Sequence, residues 1–297
     1  MDHVRGRNDH AWENGRRRHG HTSQFPFPDD ATTTASLPFL APIPLPLKKN
    51  TKILDVAARD GSWIYSIQGH DKYGKAQYTG LEPAWLVHGE DGWSPDWMIH
   101  EDLEGPWPFT TKQAFHLIHG EALGGLLTDW KGFYANVFKH LVPGGWVGLL
   151  EHDLRFHPRE GKEEEMEGKW DVIKKWQELI SEAAEKFGKR INMGSKQKAL
   201  MEEAGLVEVQ SRYSRFLQKD GKMTPQQARM GSFYHHHWKE QLQGYSLRLF
   251  TKTLGWSKEN TDNLIERVLQ ELNQEDLQLY SLFYLVIGRK PRDAARS

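Results

Sequence analysis

The chain has 297 residues, and its 39 Lys and Arg against 40 Asp and Glu give a formal net charge of −1. A nearly neutral chain has no overall field that attracts polyanions, which argues against direct nucleic-acid binding. The absence of cysteine excludes disulfides, thiolate nucleophiles and cysteine-based metal sites.

The N-terminal region, residues 1–36, is polar and lacks hydrophobic periodicity, so we expect a largely flexible tail. Within it, residues 13–19 are the part that could contact a site. The opening MDHVRGRNDHAWENGRRRHGH lacks the apolar stretch of a signal peptide, and no run approaches the ~18 apolar residues of a membrane span. We therefore expect a cytoplasmic protein without a membrane partner. The nucleus is the alternative, because Arg16, Arg17 and Arg18 are similar to a short import signal.

Residues 37–291 are expected to form one domain, followed by a short tail at 292–297. From residue 51 onward, short apolar runs alternate with helical patterns, which indicates an α/β fold with a mostly parallel sheet. Strands are predicted at 52–57, 76–82, 96–100, 114–120, 145–153, 206–216 and 279–290. Helices are predicted from Gly61 and over 130–141, 163–189, 197–204, 231–254 and 258–272. The last two strands are expected to pair antiparallel at one edge of the sheet.

The first predicted strand leads into a turn and a helix, and Glu82 ends the next strand, an arrangement that is typical of nucleotide-binding sites. The turn, DVAARDG, contains a single glycine, whereas the usual fingerprint has three. An ordinary strand–loop–helix unit explains this pattern equally well.

Sequence blocks along the chain are more specific: ENGRRRH, ILDVAARDGSW, YTGLEP, HEDLEGPWPF, FHLIHGEALGGLLTDW, FKHLVPGGW with LLEHD, MEEAGLVEV, GYSLRLFTKTLGWS and FYLVIGRKP. Their order and spacing resemble those of the LaeA-like fungal methyltransferases over residues 13–291. The resemblance implies the Rossmann-like fold of class I methyltransferases: a seven-stranded, mostly parallel sheet flanked by helices, with a helical C-terminal insertion. It also implies S-adenosylmethionine (SAM) as the cofactor and a small-molecule methyl acceptor from fungal secondary metabolism.

The resemblance further implies a cofactor-binding set. Its members are Asp55, Ala57, Arg59, Gly61, Glu82 and Asp102. The first four match the family's motif that cradles the methionine part of SAM. Glu82 matches the acid that holds the ribose hydroxyls, and Asp102 matches an acid near the adenine amino group.

His119 and Glu121 follow the fourth strand, where the family lines the space between methyl donor and acceptor. We expect His119 to be the general base, because imidazole titrates near neutral pH, and Glu121 to orient it. His152 is the second choice for the base. A hydrogen-bonded histidine at a strand end explains His119 equally well. Glu151 and Asp153 end the fifth strand at the same carboxyl edge.

The chain departs from the family at three positions. Ala57 stands where glycine is usual and should be tolerated if its φ is negative. Arg59 also replaces a glycine and could pair with the SAM carboxylate, Asp60 or Glu82. Arg18 replaces an aromatic residue. These departures leave two alternatives to methyl transfer: a cyclase or isomerase on the same fold, and a regulator that binds protein partners through its helical C-terminal part.

Nine of the 12 tryptophans are assigned to two groups. Framework positions are predicted for Trp12, Trp63, Trp107, Trp130, Trp146 and Trp256. Trp85, Trp93 and Trp97 follow Glu82 and are predicted to line the ligand pocket. The run His235–His237 predicts no metal site, because neighbouring side chains on a helix point about 100° apart.

Overall fold

The computed structural model describes residues 10–13, 16–19, 50–58, 61–68, 76–83, 98–217, 238–239, 241–274 and 276–294. Near the N-terminus, β1 (His10–Glu13) and β2 (Arg16–His19) pair antiparallel, with Glu13 opposite Arg16. The intervening sequence is Asn-Gly, the dipeptide favoured in two-residue hairpin turns. Part of the predicted tail therefore has regular structure.

The remaining strands form a seven-stranded sheet. They are β3 (Lys52–Val56), β4 (Gln77–Pro83), β5 (Met98–Glu101), β6 (Phe115–Glu121), β7 (Leu141–Pro158), β8 (Val207–Leu217) and β9 (Leu279–Arg289). The order across the sheet is β5-β4-β3-β6-β7-β9-β8. The first five strands in this order are parallel, and β9 pairs antiparallel with both β7 and β8. The α/β Rossmann-like architecture and the antiparallel pairing of the last two strands are confirmed.

The helices lie between the strands. They are α1 (Ser62–Gln68), α2 (Trp130–His140), α3 (Glu163–Met166), α4 (Asp171–Phe187), α5 (Gln197–Glu203), α6 (241–248, continuing into a π-helical turn at Leu249–Thr253) and α7 (Lys258–Leu272). The predicted cap of α2 is confirmed, because the Asp129 carboxylate accepts hydrogen bonds from the backbone N–H groups of Lys131 and Gly132. No helix within the described ranges is long and apolar enough to cross a membrane.

The prediction of one continuous helix over 163–189 is wrong. Gly168 adopts φ 77°, a left-handed conformation that interrupts the helix and separates α3 from α4. The apolar spacing continues through this break because Met166 and Ile173 belong to the same hydrophobic cluster, and Trp170 packs against it. The periodicity therefore reports a shared buried face and not an unbroken helix.

Hydrophobic clusters cover both faces of the sheet. One cluster contains Trp176 of α4 and Phe283 of β9, and a second contains Phe133 of α2 and Val286 of β9. Positions 283 and 286 have opposite parity on the same strand, so their side chains lie on opposite faces. This layering buries the strands and leaves their carboxyl ends as the edge at which polar side chains collect.

The N-terminus of α4 is capped by a residue distant in sequence. Its own N-cap residue, Trp170, makes no side-chain capping bond. Instead, the Glu271 carboxylate of α7 accepts hydrogen bonds from the backbone N–H groups of Val172 at 3.1 Å and Ile173 at 2.9 Å. A carboxylate at this helix end satisfies two backbone donors and also interacts favourably with the helix dipole.

We predict that Glu271→Ala lowers the free energy of unfolding by about 1–2 kcal/mol, because two capping bonds are lost. Urea denaturation monitored by circular dichroism measures the change. Glu266→Ala is the matched control, since Glu266 is exposed on the same helix and surface substitutions usually change stability by less than about 0.5 kcal/mol. Equal effects of the two substitutions would contradict the capping role.

Candidate active site

The candidate site is built from the carboxyl ends of adjacent parallel strands. Asp55 lies near the end of β3, Glu82 near the end of β4, and His119 and Glu121 at the end of β6. All four side chains are at most 5% exposed. The buried polar groups that the sequence predicted as functional therefore belong to one edge of the sheet, which is where open α/β sheets bind ligands.

The turn after β3 has the backbone conformation of glycine although it begins with alanine. Ala57 adopts φ 56° and Gly61 adopts φ 74°. The condition under which alanine was expected to be tolerated here, a negative φ, is therefore not met. Its N–H donates to the Leu81 carbonyl at 2.7 Å, and this bond across to β4 holds the alanine in the left-handed region. Arg59 lies outside the described residues.

Glu82 follows Leu81 directly and is fully buried. Because Val56 pairs with Leu81 in the parallel ladder, Glu82 lies beside the turn that begins at Ala57. The sequence predicted an acidic residue at the end of the second strand, and the parallel register places it beside the turn that follows the first strand. The left-handed conformation of that turn was not predicted.

His119 is fully buried and held on two sides. Its Nδ1 lies 2.7 Å from Oδ1 of Asp55, and its ring stacks on Trp63 with the ring centres 3.6 Å apart and an angle of 4° between planes. Burial lowers the pKa of His119 from 6.5 to about 4, and the nearby Glu121 carboxylate offsets part of this lowering. The imidazole is therefore neutral at physiological pH.

Glu121 lies next to His119 at the end of β6. Oε1 of Glu121 lies 3.7 Å from Nε2 of His119, beyond hydrogen-bond distance. The two residues predicted to act together are therefore neighbours that are not joined by a direct hydrogen bond.

Glu151, also at this edge, organises the backbone. Its carboxylate accepts hydrogen bonds from the N–H groups of Leu123 at 2.9 Å and Gly124 at 3.1 Å, which fixes the loop that follows β6. Asp153 lies two residues further along β7, where burial raises its carboxyl pKa against the opposing effects of the Gly194 backbone and Arg155. His152, the second choice for the general base, stacks on Phe283, and the two ring centres are 5.6 Å apart.

Asp102 directly follows β5, on the far side of β4 from His119. Its side chain is exposed, and Oδ1 accepts a hydrogen bond from the Glu104 N–H at 3.0 Å. The structure thus places Asp102 near the strand that carries Glu82 and separates it from the cluster around His119.

Sequence reasoning missed the role of Trp63. Trp63 lies in a buried hydrophobic cluster, as expected of a framework residue, and its ring in addition stacks on His119, a contact that was not predicted. The available signal is its position in the first turn of α1, immediately after the turn at Gly61. The predicted ligand-wall residues Trp85, Trp93 and Trp97 lie outside the described residues, as do His235–His237. Among the described residues, no group of three or more histidine, aspartate or glutamate side chains is arranged to hold a metal ion.

Comparisons with known proteins agree with the sequence blocks. No protein-family model matches the chain. The chain is 24% identical over 247 residues to the secondary metabolism regulator laeA of Aspergillus fumigatus, an alignment that covers 83% of this chain and 64% of that protein. It is 23% identical over 300 residues to methyltransferase pytC of Aspergillus terreus, covering 95% of this chain and 88% of that protein. These relatives confirm the resemblance to LaeA-like fungal methyltransferases.

Among solved structures, phosphoethanolamine N-methyltransferase 2 of Haemonchus contortus aligns with a TM-score of 0.45 and 13% identity, covering 83% of this chain and 50% of that one.

We predict that Ala57→Gly raises the free energy of unfolding by about 1 kcal/mol, because glycine adopts the left-handed conformation without steric cost. Ala58→Gly is the control: φ of Ala58 is not positive, so this change should lower stability by about 0.5–1 kcal/mol. Urea denaturation of both variants measures the difference. Destabilisation by Ala57→Gly would show that the alanine is not strained.

We also predict that His119 makes the protein less stable in acid. Between pH 6.5 and about 4 the unfolded chain binds a proton at this imidazole and the folded chain does not, so the free energy of unfolding falls as pH falls through this window. The loss from this group is on the order of 3 kcal/mol. Measured across that range, His119→Gln should show a flatter pH dependence than the wild type.

The control for His119→Gln is His116→Gln. His116 is half-buried, and burial together with Lys52 lowers its pKa. We expect this variant to retain most of the acid dependence. If the free energy of unfolding of His119→Gln depends on pH as steeply as that of the wild type, the effect does not come from His119.

Proposed function

We propose that the chain is a SAM-dependent methyltransferase that acts on a small molecule in fungal secondary metabolism. The observation that carries this proposal is the buried Glu82 carboxyl beside the left-handed turn at Ala57, at the carboxyl edge of a Rossmann-like sheet. Relatives that are named as methyltransferases support the same proposal.

The residues present fit SAM in three respects. The backbone at Ala57 and Gly61 already has the conformation that glycines would supply, so it can approach a ligand closely. Glu82 provides a buried carboxyl for two ribose hydroxyls, and Asp102 provides a carboxyl on the β5 side for the adenine amino group. When bound, SAM supplies an electrophilic methyl group.

His119 and Glu121 would then lie on the acceptor side of the cofactor, at the end of β6. With a pKa of about 4, His119 is neutral and can accept a hydrogen bond, although it is a weak proton acceptor for catalysis. We therefore assign most of the catalytic contribution to positioning of the acceptor in a water-excluded site. Glu121 supplies a carboxyl group at the same place.

A second candidate is a regulator of secondary metabolism that acts through protein partners in the cytoplasm or nucleus. It is supported by relatives named as regulators, such as LAE1 of Cochliobolus heterostrophus, which is 24% identical over 257 residues. Both functions require cofactor binding if the regulator acts by methylation, so cofactor binding is tested first.

Isothermal titration of the full chain with SAM and with S-adenosylhomocysteine tests the proposal. We expect saturable binding of both in the micromolar range, and at least about tenfold weaker binding by Glu82→Gln, because one charged acceptor for the ribose hydroxyls is lost. Glu203→Gln is the matched control, since Glu203 is exposed and pairs with Lys131 on the surface. No binding of either ligand at millimolar concentration by the folded wild type would refute the proposed function.

A further inference from the structure

A cavity of about 540 Å³ lies between α2 and α5. Phe138 and Leu200 provide apolar walls, and Ala135 and Ala204 leave the space between the two helices open. Tyr134 also lines the cavity, but its hydroxyl donates its hydrogen bond elsewhere, to a buried glutamine side chain at 2.6 Å. This volume and this lining are typical of sites that hold a small molecule largely by apolar contact.

The cavity and His119 lie on opposite faces of the sheet. Phe133 and Val137 of α2 belong to the same hydrophobic cluster as Ile118 of β6. Because side chains alternate along a strand, Ile118 faces α2 and His119 points to the other face. The cavity is therefore separate from the candidate active site, and a ligand there would bind whether or not the proposed function is correct.

The charges at the rim of the cavity are mostly positive. Lys131 pairs with Glu203 at 2.6 Å, so these two charges offset each other. Lys139 lines the cavity about two turns further along α2. It makes no ion pair with any residue that the structure describes. The rim therefore carries one positive charge that no neighbouring carboxylate balances.

A further ammonium group lies behind one apolar wall. Lys290 is 1% exposed, and its Nζ lies 4.7 Å from the centre of the Phe138 ring and donates a hydrogen bond to the Leu141 carbonyl at 3.0 Å. Within the described ranges, no carboxylate pairs with this ammonium group, and burial lowers its pKa. A negative charge that enters the cavity is therefore attracted by two unbalanced cations, Lys139 and Lys290.

We propose that this cavity binds a small hydrophobic anion, such as an aromatic or aliphatic carboxylate, with its apolar part against Phe138 and Leu200 and its acid group beside Lys139. An uncharged molecule of the same shape would contact the same walls but leave the charge of Lys139 unbalanced. A cationic molecule would be repelled. The cavity thus selects its ligand by charge as well as by shape.

The test compares two fluorescent probes that share one apolar body. Anilinonaphthalene sulfonate carries a negative charge, and phenylnaphthylamine lacks the sulfonate group. Both emit more strongly in apolar surroundings, so each is titrated into the full chain and its half-saturating concentration is measured. We expect the sulfonate to half-saturate the site at a concentration at least about tenfold lower than the uncharged probe, because its contact with Lys139 is charge-assisted.

Two variants distinguish the cavity from other places at which the probes bind. Ala135→Trp introduces a large side chain at an exposed helix position that lines the cavity, and it should abolish the saturable binding of both probes. Lys139→Gln should remove the preference for the sulfonate and change the half-saturating concentration of the uncharged probe by less than about twofold. Lys175→Gln is the matched control, because it removes an exposed lysine of α4 on the opposite face of the sheet and should retain the preference.

Equal half-saturating concentrations of the two probes in the wild type, or no saturable binding of either, would overturn the proposal. Wild-type binding by a folded Ala135→Trp would show that the probes bind elsewhere. Circular dichroism checks the folding of each variant. Because Lys139 is exposed, Lys139→Gln tests the site even if Ala135→Trp does not fold, and an unchanged preference in Lys139→Gln would also overturn the proposal.

Discussion

The hydrogen bond between Asp55 and His119 joins two adjacent central strands one residue before their ladder ends. The two residues are register partners in the parallel pairing of β3 with β6, and both are almost fully buried. A shift of one residue between these strands would turn His119 to the other face and leave the Asp55 carboxyl buried without the imidazole. The polar pair thus specifies the register, and the positions of Glu121 and Ala57 follow from it.

Most of the fold could be predicted from the sequence because its signals are local. The segment 53–56, which is apolar except for Asp55, marks a buried strand, and Asp129 marks the start of α2. The break at Gly168 could not be predicted from periodicity, because the residues on either side bury the same face. The Asn-Gly dipeptide between β1 and β2 favours a hairpin turn. The charged residues around it do not show the alternating apolar pattern by which strands are usually predicted.

The sequence was sufficient to predict where the candidate site lies, but not which contacts its residues make. Carboxyl ends of parallel strands meet at one edge, so Asp55, Glu82 and His119 could be grouped from the sequence. The tautomer of His119 depends on a partner 64 positions away, and the left-handed φ of Ala57 depends on the Leu81 carbonyl of the neighbouring strand. Such properties arise only once the strands are in register.

The cap of α4 by Glu271 has a consequence for the order of events during synthesis. The carboxylate lies 99 positions after Val172, so α4 leaves the ribosome long before its capping residue is made. Until α7 docks, the first turn of α4 depends on water for its N–H donors and is free to fray. Completion of this helix is therefore a late step, governed by the arrival of the C-terminal part of the chain.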